Sequence, residues 1–428
     1  MNASSPSLRW MPLDNAGLIF PAALRRHWSN AYRISFTFRD PVDPAILQQA
    51  LDDAAPRFPS ICVRLRRSAF WYYLEELERP PAVREDSCQP LVSMRRADVR
   101  RCAIRVLYYR CRMAVEFFHA VTDGTGAMIF AKSLAAEYVR RRYGADVPCR
   151  EGVLDLREPP RRSELEDSFL ENAGPVAAPR DDLNVYRPGG TLEPDRFLHV
   201  TAGIVDGEAL HRRARERGVT VTAYLTAVLL AALLDLQAED VPRRRKRKPV
   251  KVQIPVNLRQ LYGGQTLRNF VAVANIGVDP RLGDYTFDEL VEIVHHQMHL
   301  AITAKNMRSI FTPNVNDARN PLLKPVPLFL KNLIMRAVFD AVGEQVSCLS
   351  LSNLGAVRLP EAMAPYVERV EFVLGPQSTA PYNLGVASWN GRTFLNLVRN
   401  TVEPRLERLF FTRLVGLGFH VKIETNDK

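Results

Sequence analysis

What most restricts the fold of this chain is a hairpin that runs into a histidine and then into a helix. Residues 102–109 and 113–118 are two strand-like apolar runs separated by Arg110-Cys111-Arg112. The second run ends at His119-Ala-Val-Thr-Asp123-Gly124. A helical pattern starts at once, with Met128, Ala131, Leu134, Ala135 and Tyr138 on its buried face. Asp123 or Thr125 supplies the N-cap, and Arg140-Arg141-Arg142 before Gly144 gives a cationic last turn and a glycine stop. The histidine then stands at a strand end, held by the strand and turned toward a cleft.

Similar elements surround it. Tyr32, Ile34, Phe36 and Phe38 alternate along a strand at 32–38. A helix follows, capped by Asp43, opened by Pro44, striped by Ile46, Leu47, Ala50, Leu51 and Ala54, and stopped at Pro56. Residues 61–65 and 70–75 read as strands, with Phe70-Trp71-Tyr72-Tyr73 taken as core and strand pairing rather than a binding platform. From 147 to 195 the pattern dissolves into proline and alternating charge, which predicts a crossover. The second half predicts strands at 197–205, 250–256, 270–278 and 346–351, and helices at 207–217, 219–236, 287–307, 327–342 and 404–417. It also predicts a hairpin, 382–389 with 393–398, turned by Asn390-Gly391. At 428 residues the chain exceeds one ordinary core. It divides into an N-terminal lobe (1–150), a crossover (151–195) and a C-terminal lobe (196–428), giving an α/β class.

Composition removes several functions. The six cysteines are scattered, with no C-x-x-C pair, which argues against a zinc site or a disulfide framework and for reduced thiols. Residues 1–6 lack the basic and apolar segments of a secretory signal, so a cytoplasmic protein is expected. The apolar stretch 219–236 is broken by Thr220, Thr222, Tyr224, Thr226 and Asp235 and reads as a core helix, not a membrane span. The run Arg243-Arg244-Arg245-Lys246-Arg247-Lys248 reads as a solvated loop, with a contact for phosphate or an acidic partner protein as the sharper reading. With 58 basic against 47 acidic residues, the charge balance is not that of a nucleic-acid protein. Glu292, His295 and His299 share one helical face without a second ligand cluster, so no metal is expected. Asp123-Gly124-Thr125-Gly126 lacks the third glycine and the acidic residue of a dinucleotide loop.

A neutral imidazole, with an ordinary pKa near 6.5, takes a proton from a hydroxyl or amine at neutral pH. Spacing alone is equally satisfied by a capped helix start carrying a surface histidine. Asp123, one turn on and followed by glycine, fits a loop anchor paired to an arginine better than a second base.

His119-Ala-Val-Thr-Asp123-Gly124 after an aromatic strand resembles the HxxxDG motif of a large superfamily. Its members include chloramphenicol acetyltransferase, plant BAHD acyltransferases, nonribosomal peptide condensation domains and polyketide-associated acyltransferases. The chain is most similar to the bacterial alcohol-acetyltransferase-like members. The opening Arg9-Trp10-Met11-Pro12-Leu13-Asp14-Asn15, Phe70-Trp71-Tyr72-Tyr73, Ile254-Pro255-Val256-Asn257-Leu258-Arg259 and Leu351-Ser352-Asn353-Leu354-Gly355 carry that likeness in order across nearly the whole chain.

The resemblance implies two chloramphenicol-acetyltransferase-like lobes, each a mixed sheet with flanking helices, with an active-site tunnel between them. It implies O-acyl transfer to an alcohol from acyl-CoA or an acyl carrier protein, with His119 as catalytic base and no acyl-enzyme. The absence of a G-x-S-x-G elbow agrees with that. It implies Asp123, Gly124 and Arg259 as structural residues of the site, with an Asp123–Arg259 pair. The DFGWG motif of BAHD enzymes is missing, and Ser352-Asn353-Leu354-Gly355 stands in its place. Ser352 or Asn353 is therefore an oxyanion candidate, and Asn353 is equally a turn cap before Gly355. The expected partners are a small-molecule acceptor and a carrier protein, with no permanently bound cofactor and a monomeric chain. The rival functions are amide formation, as in condensation domains, and a non-catalytic docking homologue.

Overall fold

The computed structural model describes residues 9–25, 28–176, 184–339, 345–377 and 380–426. Their strands form three sheets. In the five-stranded sheet, Val367–Leu374, Ala31–Phe38, Arg112–Phe118, Ile104–Tyr109 and Arg84–Glu85 lie side by side, antiparallel except for the last pair. The register sets Ile34 opposite Val115 and Phe117 opposite Ile104. Tyr32, Ile34, Phe36 and Phe38 consequently turn one face into a core shared with Leu47 and Leu51 of helix Pro44–Ala54 and with Phe130 and Leu134 of helix Gly124–Tyr143.

The seven-stranded sheet is mixed, in the order Val271–Val278, Val250–Asn257, Leu349–Ala356, Tyr382–Trp389, Arg392–Arg399, His199–Asp206 and Lys422–Thr425. Only Leu349–Ala356 makes parallel pairs, with the strands on either side of it. Period-two alternation divides Val250–Asn257 cleanly. Val250, Val252, Ile254 and Val256 are buried in the C-terminal core, while Gln253, Pro255 and Asn257 point the other way, into a cavity. A small third sheet joins Trp10–Pro12, Tyr72–Glu76 and Val63–Arg67.

The two large sheets meet where Val367–Leu374, late in the chain, returns to complete the N-terminal sheet beside Ala31–Phe38. There the Asn396 side chain donates to the Phe372 carbonyl (3.1 Å). A Cβ on Gly385 would lie 2.4 Å from that carbonyl oxygen, so the close approach of the strands requires glycine. Helix Val221–Asp240 is long and apolar enough to cross a membrane, yet 72% of its most apolar window is buried, against helices Phe287–Ala301 and Arg405–Gly416.

Several expectations need correction. Phe70 and Trp71 do not enter the core. Ser68 accepts hydrogen bonds from both of their backbone N–H groups, a hydroxyl-anchored turn that leaves Phe70 38% and Trp71 52% exposed at a hairpin tip. The helix expected over 287–307 breaks at Ile302, because Thr303 caps a second helix, Ala304–Arg319. The crossover holds two short helices, Arg162–Leu165 and Ser168–Asn172. Glu164 there is buried in a two-point ion pair with Arg57 (2.6 and 2.8 Å), a pairing that local composition does not reveal. Residues 340–342 of the helix expected over 327–342 lie outside the described residues; the observed helix is Leu328–Val338. At the predicted hairpin turn, Asn390 and Gly391 have φ of 49° and 73°, as a primed turn needs.

Candidate active site

Strand Arg112–Phe118 ends one residue before His119, whose backbone N–H donates to Asn30 O (2.9 Å). The chain then turns, Val121 N–H to Phe118 O (3.0 Å), and Asp123 caps the motif helix, its Oδ1 accepting from Thr125 and Gly126 N–H (3.1 Å each). Its other oxygen, Oδ2, accepts from Arg259 Nη1 (2.7 Å) and from the Phe270 N–H (2.8 Å). Arg259 also donates to the carbonyls of Thr266 (2.9 Å) and Arg268 (2.6 Å). One carboxylate thus ties the histidine turn of one lobe to residues 259–270 of the other. Two further contacts close this seam. The Thr122 hydroxyl donates to Leu267 O (2.6 Å), and a Cβ on Gly126 would fall 2.2 Å from that same oxygen. Gly124 abuts Leu354, since a Cβ there would come within 2.8 Å of its side chain.

His119 is held from three sides. Phe20 and Tyr32 rings lie 5.0 Å from it, the second edge-on, and Nδ1 stands 3.1 Å from Asn269 Oδ1. The Asn269 amide nitrogen donates to the carboxylate of Asp14 (3.0 and 3.3 Å), as does its backbone N–H (3.2 Å). A carboxylate only accepts, so Asp14 orients the amide with its oxygen toward the ring. The ring proton is thereby placed on Nδ1, and Nε2 keeps its lone pair. Asp14 is itself fully buried, bonded by Gly17 N–H (2.6 Å) with Arg268 Nε at 3.8 Å; burial raises its pKa and Arg268 opposes that. Burial also lowers the pKa of His119 below the ordinary histidine value, partly offset by a hydrogen bond with its own backbone and then by Asp123, Asn269 and Asp14. The base form therefore persists into mildly acidic solution.

Neither Asp14 nor Asn269 was singled out by sequence reasoning. Asp14 lies in the opening run that carries the resemblance, but no spacing links it to residue 269; only the fold brings the two together. If Asn269 positions the ring, Asn269→Leu lowers kcat about tenfold, the value of one hydrogen bond, with little change in KM. Because that bond favours the charged ring, its loss moves the acid limb of the kcat/KM profile to lower pH. An unmoved limb would mean that Asn269 only packs.

His119, Asp123 and Gly124 line a cavity of about 1860 Å³ together with Ser352, Asn353 and much of the inner face of the C-terminal sheet. A second cavity of about 700 Å³, lined by Arg150, Arg358, Arg392 and Trp389, shares Asn353 and Gly355 with the first. Asn353 Oδ1 accepts from Gly355 N–H (2.8 Å) and Nδ2 donates to the Thr222 hydroxyl (3.0 Å). That geometry is a turn cap, with one amide N–H left over. Ser352 lies in the same strand and also faces the large cavity. Glu292 pairs with His296 (3.8 Å), not with His295 or His299, whose rings contact each other (4.4 Å); no group of three potential metal ligands occurs among the described residues. In the basic run, Arg244 pairs with Asp284 and Arg247 donates to the Val241 carbonyl (2.9 Å).

No family model matches the chain. Two Mycobacterium tuberculosis proteins, the uncharacterized Rv2305 and MT2362, are each 26% identical over 294 residues, which span 65% of this chain and 65% of each relative. Polyketide synthase associated protein 5 from M. tuberculosis superposes with a TM-score of 0.61 at 14% identity, covering 95% of this chain and 96% of that one. The chain has the condensation-domain fold. The first condensation domain of the CDA synthetase gives 0.57 at 15% identity, over 96% and 95% of the two chains. The Fusarium graminearum protein TRI101, solved with ethyl coenzyme A, gives 0.61 at 12% identity, over 97% and 99%. These coverages extend the likeness in fold over nearly the whole length of the chain.

Proposed function

We propose that this protein is an acyltransferase that moves an acyl group from a thioester, acyl-CoA or acyl carrier protein, to an alcohol. The observation that carries the reading is the placement of the His119 ring, its Nδ1 3.1 Å from the Asn269 amide that Asp14 orients, beside a large apolar-lined cavity. Nε2 takes the proton of the acceptor hydroxyl, and the oxygen attacks the thioester carbonyl. Collapse of the tetrahedral adduct forms the ester and breaks the C–S bond, and the imidazolium returns its proton to the leaving thiolate. No residue is acylated. The leftover N–H of Asn353, or the Ser352 hydroxyl, is the candidate donor to the adduct's oxyanion.

The smaller cavity supports a phosphate-bearing donor. Arg150, Arg358 and Arg392 line it, outnumbering the carboxylates Glu151 and Glu361, and it shares Asn353 and Gly355 with the large cavity. Planar guanidinium groups suit the phosphates of coenzyme A or of a phosphopantetheine arm. TRI101, bound to ethyl coenzyme A, is a protein of the same fold that takes such a ligand. All six cysteines are free thiols, in keeping with a cytoplasmic site of action.

The test is thiol release from a panel of acyl-CoA and carrier-bound thioesters, each with and without alcohols and amines. Release that depends on an alcohol and yields the matching ester is expected. Release only with amines would replace ester by amide formation. Donor binding without release by any acceptor would make the chain a docking homologue.

A further inference from the structure

Helix Leu328–Val338 (Leu-Phe-Leu-Lys-Asn-Leu-Ile-Met-Arg-Ala-Val) is apolar nearly all round, yet only Leu328 is buried. A helix of that kind normally sits inside a protein. Here Lys331, Ile334, Met335 and Val338 line the large cavity, while Phe329 (75% exposed) and Leu333 (67%), one turn apart, face outward. The helix is firmly seated. Leu328 N–H donates to Ala69 O (2.8 Å), Lys331 Nζ to Phe70 O (3.0 Å), and Asn332 to the Tyr72 hydroxyl (2.9 Å). These bonds join it to the hairpin tip that exposes Trp71, so helix and tip form one platform at the rim of the cavity holding His119.

Charge indicates what the platform meets. Between Asp317 and Asp340 the chain carries Arg319, Lys324, Lys331 and Arg336 and no carboxylate. An exposed apolar helix in a segment whose only charges are cations, with Arg336 exposed on the helix itself and a tryptophan at the rim, has the composition of a helix lying in the headgroup region of an anionic bilayer. A protein partner large enough to cover the helix would not require a segment with cations alone. We propose that this face docks on anionic lipid bilayers, so that an apolar substrate passes between bilayer and cavity without crossing water. The passage of substrate rests on the acyl-transfer reading; the docking does not.

Flotation of the full chain with vesicles, without any donor, tests the docking directly. Binding is expected to vesicles of phosphatidylcholine with phosphatidylglycerol and to weaken greatly on phosphatidylcholine alone. Arg336→Glu should reduce the partition coefficient by at least about fivefold, the worth of one cation near such a surface. Phe329→Ser/Leu333→Ser, outside the cavity lining, should abolish binding while leaving turnover of a soluble short-chain alcohol unchanged. No binding to the anionic vesicles, or equal binding by wild type and the serine variant, overturns the proposal. So does a wild-type dimer in sedimentation that the serine variant splits, which would make the face an interface between two copies. Failure of acyl transfer itself would appear in the thiol-release assay and leave the flotation result standing.

Discussion

Replacing His119 with alanine lowers kcat/KM by about 10²–10⁴-fold, the range expected when a positioned general base is lost. The effect falls on kcat. The side chain lines the large cavity and not the smaller one lined by Arg150, Arg358 and Arg392, so the donor Kd should be nearly unchanged. The pH profile provides the second, independent mark. The base must be neutral to act, and burial holds its pKa below 6.5. In the free enzyme the acid limb of kcat/KM therefore has its midpoint below that value, and more than half of the plateau rate survives at pH 6.5. Residual activity in His119→Ala should lose this limb altogether. A variant that retains wild-type turnover, or the same limb, would move the proton-accepting role away from His119.

How far such a site can be read from a sequence depends on which contacts are local. The hairpin, the Asp123 cap and the helix after it are short-range features, and alternation and capping chemistry place each to within a few residues. The pairing of Asp123 with Arg259 spans 136 positions, so no local rule reaches it. It was legible only through the likeness of Ile254–Arg259 to a family motif. Asp14 and Asn269, 255 positions apart, had no such guide, because a buried carboxylate bonded to an amide has no periodicity. The misreading of Phe70 and Trp71 has the opposite origin. Aromatic residues beside a strand are usually buried, and the hydroxyl of Ser68 turned these two outward at a place where exposure has its own use.

Asp123→Ala is expected to destabilise the protein by about 3–5 kcal/mol, far more than the roughly 1 kcal/mol for His119→Ala. The difference follows from what each side chain leaves behind. The Asp123 side chain is 1% exposed and accepts four hydrogen bonds; without it the helix N-terminus and the Phe270 N–H lose their acceptor, and the Arg259 guanidinium keeps its carbonyl partners but loses its counter-charge. A largely buried cation without its counter-charge is costlier than a neutral gap, so the double variant Asp123→Ala/Arg259→Met should be less damaged than the two single losses added. Denaturant unfolding of the four proteins measures this as a coupling of about 0.5–3 kcal/mol. The kinetic consequence is indirect: with the turn released, His119 loses its fixed place against Asn269, and kcat falls although the base is intact. Equal stability of Asp123→Ala and His119→Ala, or strict additivity in the cycle, would remove the strut role. Because Asp123 and Arg259 stand on different lobes, the same experiment asks whether the seam between lobes and the aim of the His119 ring are one structural property.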